Sequence, residues 1–114
     1  MHIGNCHCGA VTLTIPGVPN YVNVCNCTLC SKIAGAWGYF TPDDVHVRGL
    51  TTAYCRADMI PPNIATHHCP RCGCSTHWSP VSAQAAGRMG VNMRLFEDGL
   101  MAGIEVRKIN GRSW

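Results

Sequence analysis

Two remote pairs of cysteines constrain the fold of this chain more than any other feature. Cys6-His7-Cys8-Gly9 stands near the start and Cys69-Pro70-Arg71-Cys72-Gly73 well past the middle, each pair followed directly by a glycine. C-x-C and C-x-x-C spacings bring two sulfurs to one point through a tight turn. The glycine supplies the left-handed residue such a turn calls for at little steric cost. Together the four thiolates make a closed site of the structural type, and its metal-binding free energy becomes folding free energy. Residues 6–8 must then meet residues 69–72, which clamps the first strand to a late turn.

Between the pairs lies Cys25-Asn26-Cys27-Thr28-Leu29-Cys30, three thiols in six residues. In extended backbone, residues i and i+2 face one side, and the following residues curl Cys30 back to the same point. Zinc takes four ligands, so a triplet leaves one corner open, as in catalytic sites. Cys55 and Cys74 remain. Both read as buried free thiols, with the rival that either one closes the triplet into a second all-thiolate site. Nine cysteines is an odd number, and no secretory signal precedes them, so metal is expected rather than a disulfide framework.

A length of 114 residues fits one domain over 1–114, and 46% hydrophobic against 13% charged residues makes it globular. The net charge of +3 comes from nine Lys and Arg spread as singles. That distribution offers no footprint for nucleic acid or a membrane surface. Met1 to Cys6 lacks the basic and apolar regions of a signal peptide, and no apolar run approaches a bilayer span. A cytoplasmic location is expected.

Apolar and β-branched runs predict strands at 11–15, 21–24, 35–40, 45–47, 51–54, 89–95 and 104–107, and 64–68 leads into Cys69. Pro16-Gly17, Pro19-Asn20, Glu97-Asp98-Gly99 and Asn110-Gly111 read as turns, and 56–63, with two prolines, as loop. Thr41 to Asp44 reads as a turn or a single helical turn, and Ala83 to Ala86 as a short helix. Many short strands with frequent turns give a mostly β fold.

His67, His68 and His77 are expected to act as structural or supporting groups rather than as ligands. His46 falls on the surface. Trp37, Tyr39 and Phe40 either fill the core or wall an apolar pocket beside the triplet. Lys32, Arg56, Arg71, Arg88 and Arg94 are the cations available for a substrate carboxylate.

The ordered set Cys6-His7-Cys8-Gly9-Ala10-Val11, Cys25-Asn26-Cys27-Thr28-Leu29-Cys30 and Cys69-Pro70-Arg71-Cys72-Gly73 resembles the glutathione-dependent formaldehyde-activating (GFA) family, also called the centromere protein V/GFA domain. The resemblance implies a tent-like β fold with two zinc ions. It places Cys6, Cys8, Cys69 and Cys72 on a structural zinc, and Cys25, Cys27 and Cys30 on a second, open one. It also implies carbon–sulfur lyase chemistry, in which glutathione's thiol is joined to formaldehyde, with a small thiol or thiol adduct as partner. A zinc-stabilised protein-binding module without chemistry and a thiol redox sensor are the alternatives from other classes.

Overall fold

Thr12–Ile15 (β2) buries Leu13 and Ile15 and leaves its threonines half-covered, as its alternation requires. The strand pairs antiparallel with His2–Asn5 (β1) on one side and His46–Arg48 (β5) on the other, forming a three-stranded sheet. A seven-stranded sheet holds the remaining strands: Tyr21–Cys25 (β3), Trp37–Phe40 (β4), Thr52–Cys55 (β6), Ile64–His68 (β7), Ser75–Pro80 (β8), Met89–Asn92 (β9) and Glu105–Ile109 (β10). Their order is β10-β3-β4-β9-β8-β7-β6, antiparallel throughout except where β10 runs parallel to β3. Two short helices, Cys30–Ile33 (α1) and Asp98–Ala102 (α2), complete the regular structure with three 3-10 turns. These features come from a computed structural model describing residues 1–113.

The core lies where the two sheets face each other. Leu13 and Ile15 of the small sheet pack in one cluster with Val22, Met89 and Val91 of the large one, joined by Met93, Phe96 and Ile104. Burying side chains of this size contributes roughly 1.5–3 kcal/mol each. A second, smaller cluster is built on Cys6, Val11 and Cys69, with Cys72 and Cys74 against it. The molecule is a small, mostly β domain of two sheets, as the pattern of short strands indicated.

Several elements depart from the sequence reading. β1 and β8 carry no clean alternation and were not expected as strands. In β8, Thr76, His77 and Trp78 are buried in succession, because the strand is paired on both edges and covered on both faces. The predicted strand over 89–95 stops at Asn92, whose side-chain oxygen accepts the Arg94 N–H at 3.2 Å and starts a 3-10 turn over Met93–Leu95. Glu97-Asp98-Gly99 leads into α2 instead of only turning. Residues 83–87 form turns rather than a helix, since so short a run cannot repay helix nucleation without packing. Cys55 is exposed, not buried, because β6 is an edge strand with all four residues open to solvent.

Candidate metal centre and its cavity

The first cysteine cluster is assembled by two similar turns. The Gly9 N–H donates to Cys6 O at 3.0 Å and the Gly73 N–H to Cys69 O at 2.9 Å, with φ of +83° and +82° at the two glycines. Each turn is closed at its base, Cys6 N–H to Val11 O and Cys69 N–H to Cys74 O, both at 3.0 Å. The Sγ atoms of Cys6, Cys8, Cys69 and Cys72 all lie within 4.8 Å of one another. Cys6 to Cys8 is 3.7 Å and Cys8 to Cys69 is 3.6 Å. A tetrahedral zinc with Zn–S of about 2.3 Å sets sulfurs about 3.8 Å apart, so the donor set and its spacing fit that ion.

Electrostatics point the same way. Backbone N–H groups of Cys74 and Cys8 bring the Cys72 thiol down to about 5. Although the Ala10 N–H lowers it, Cys8 is pushed up to about 11 by burial and by its bonds to Cys69, Cys6 and Cys72. Four sulfurs this close cannot all ionise without a cation among them. A divalent metal removes that conflict.

The triplet is built where β3 ends. Cys25 is the last residue of that strand, and the chain then bends so that α1 begins at Cys30, with the Ser31 N–H on Cys27 O at 3.0 Å. The Cys27 N–H reaches Cys25 Sγ at 3.4 Å, and the Cys30 N–H reaches Cys27 Sγ at 3.2 Å. All three Sγ atoms lie within 4.8 Å of one another. Burial would push the Cys27 thiol up, but the Cys30 N–H and side chain and the Leu29 N–H outweigh it and bring it down. Cys30 goes up to about 12, by burial and by Cys27, with Trp37 pulling against both. Thiols split in this way also suit a shared cation. Neither Cys55 nor Cys74 joins the group, and no histidine does among the described residues.

A cavity of about 510 Å³ opens on the triplet, walled by Trp37, Tyr39 and Trp78. Of the five cations singled out in the sequence, Arg56 and Arg88 line it; Lys32, Arg71 and Arg94 do not. The Arg88 guanidinium lies 4.1 Å from the centre of the Tyr39 ring. Arg56 is fixed by Asp58, with Nε to Oδ1 at 2.6 Å and Nη2 to Oδ2 at 3.0 Å, and it donates to Thr28 Oγ1 at 3.0 Å. Its Nη1 then faces Cys27 Sγ at 3.9 Å. Thr28 and Asp58 carry no sequence signal of this role beyond an acid two residues after an arginine in a loop.

A strap formed by residues 109–112 crosses the other side of the triplet. The Asn26 N–H donates to Ile109 O at 3.0 Å, and the Arg112 N–H donates to Asn26 Oδ1 at 3.2 Å. A Cβ on Gly111 would lie 2.5 Å from Cys25 Sγ and 2.9 Å from Cys27 Cβ. Asn110-Gly111, read in the sequence only as a turn, is thus the wall behind two of the three thiols.

The histidines sit elsewhere. His67 and His77 stack with ring centres 4.1 Å apart, and they bond Thr51, Ser79 and Thr76. Trp37 and Tyr39 wall the cavity, whereas Phe40 packs on the core.

The family model described as glutathione-dependent formaldehyde-activating enzyme matches residues 1–107. The fold is similar to the crystal structure of a Rhodobacter sphaeroides protein, with a TM-score of 0.72 at 21% identity, covering 92% of this chain and 99% of that one. At that identity the likeness is one of fold.

Proposed function

The chain belongs to the glutathione-dependent formaldehyde-activating enzyme family, and from that premise we propose that it is a two-zinc carbon–sulfur lyase that joins a small thiol to an aldehyde and cleaves the adduct. Cys6, Cys8, Cys69 and Cys72 would hold the structural zinc, and Cys25, Cys27 and Cys30 the reactive one. The observation that carries this reading is a three-sulfur group, with no fourth protein ligand among the described residues, opening into a cavity that holds two arginines. Zinc bound by three thiolates supplies a position where a ligand thiol loses its proton at neutral pH.

The protein's own side chains do the rest. Arg56 sets a positive charge against Cys27 and offsets the crowded thiolates. Arg88, at the same cavity, is free to meet a carboxylate on the thiol substrate, and glutathione is a thiol of that class. Trp37, Tyr39 and Trp78 displace water from around the reacting carbon, which strengthens the interactions inside. The test is adduct formation from glutathione and formaldehyde, with the parent compared against Cys27→Ser. A rate above background that the substitution abolishes is expected; equal rates would remove the lyase assignment.

A further inference from the structure

Cys25, Cys27 and Cys30 bring three sulfurs within 4.8 Å of one another, and no further cysteine, histidine or carboxylate joins them among the described residues. Zinc takes four ligands, so for that ion the group stays one donor short. The strap closes the rear: a Cβ on Gly111 would stand 2.5 Å from Cys25 Sγ and 2.9 Å from Cys27 Cβ. The open approach is the cavity, where Trp37, Tyr39, Trp78, Leu29 and Ile64 form apolar walls and no carboxylate lines the surface. Three convergent soft donors with one free side make a finished site for an ion that takes three ligands and no more.

Charge favours the same class. Three thiolates on a divalent ion leave one net negative charge against apolar walls, which is costly to bury. Arg56, with Nη1 at 3.9 Å from Cys27 Sγ, offsets it in part. Three thiolates on a trivalent ion leave no net charge. We propose that the triplet also binds trivalent arsenic, taken up as neutral arsenous acid. Thiolates select soft ions, and trivalent arsenic holds three ligands in a pyramid whose apex lone pair would face the cavity. On uptake three As–O bonds break and three As–S bonds form. Each hydroxide leaves as water with one proton, drawn from a thiol or, where zinc holds the sulfurs, from solvent as zinc departs as a divalent ion. No atom changes oxidation state. The four-cysteine site is a poorer target, since its fourth thiolate completes zinc coordination and both Cys6 and Cys69 are buried. Arsenic binding needs only the triplet's geometry, so it stands apart from the lyase chemistry.

The zinc-loaded parent, Cys27→Ser and Cys55→Ser are titrated with sodium arsenite at neutral pH under a phosphine reductant, which adds no competing thiol. Native mass spectrometry counts arsenic and zinc per chain, and arsenic-edge X-ray absorption identifies the neighbouring atoms. The parent and Cys55→Ser are expected to take one arsenic and release one zinc, with three sulfur neighbours and no oxygen. Cys27→Ser should bind arsenic at least about a hundredfold more weakly, because closing the third bond is an intramolecular step that it lacks. One retained zinc shows that this variant is folded; Cys25→Ser takes its place if it is not. A parent that keeps both zinc ions and takes no arsenic overturns the proposal. So does an arsenic with oxygen neighbours, or equal uptake by Cys27→Ser, either of which would put it on other thiols. Turnover of glutathione and formaldehyde by a protein that takes no arsenic overturns the arsenic site alone. Arsenic bound as expected by a protein without turnover supports that site and overturns only the lyase reading.

Discussion

Arg56 is held from one side by an acid and presented to a sulfur on the other. Asp58 is kept well below the usual carboxylate range by Arg56 and Thr28. The pair is therefore intact above the ordinary carboxylate pKa and is lost only as pH falls through the depressed folded value. Because Asp58 is largely exposed, the pair adds little stability, and its use is orientation. Asp58→Ala is expected to raise KM for glutathione in the lyase assay by up to about fivefold, with kcat little changed. An unchanged KM would contradict the orienting role.

His77 makes a second prediction at this scale. Burial, followed by the neighbouring His67, lowers its pKa to about 4. An unfolded histidine titrates near 6.5, so between pH 6.5 and 4 the unfolded chain binds the proton that the folded chain refuses. Stability then falls with pH over that window, by about 3 kcal/mol in all. Denaturant midpoints at pH 7 and pH 5 should separate more in the parent than in His77→Gln. Comparing the two proteins cancels thiolate protonation, which acts on both. An equal separation would contradict a neutral buried His77.

Among the elements, the strap at 109–112 is the most informative. Its glycine leaves no room for a Cβ against Cys25 and Cys27. Gly111→Ala is expected to lower zinc occupancy of the triplet while the four-cysteine site stays filled; full occupancy of both would show that the strap yields freely. The strap also marks the limit of what the sequence could reveal. β2 was legible because one face is buried and residues alternate. The two cysteine turns were legible because thiol spacing and the following glycine are local, and Gly9 and Gly73 adopt the left-handed backbone expected of them. β8 was hidden because neighbours on both faces erase its period. The strap was hidden because its role comes from the parallel pairing of β10 with β3, which sets Ile109 opposite Cys25. The same holds for the choice of Arg56 and Arg88 over the other cations. No local pattern encodes which loop reaches the triplet.

At the scale of the whole molecule, the two cysteine groups have different jobs. Cys6 and Cys8 lie more than sixty residues from their partners Cys69 and Cys72, so a metal there ties the start of the small sheet to the turn joining β7 and β8. The triplet is local, and losing its metal leaves the sheets joined through the core. Cys8→Ser should therefore lower the thermal midpoint far more than Cys27→Ser. Elemental analysis of chelator-free protein tests the central claim most directly. Two zinc ions per chain are expected in the parent and one in Cys27→Ser, which would establish the triplet as an independent second site. One zinc ion in both proteins would contradict it, and the proposed lyase centre would have no metal to work with.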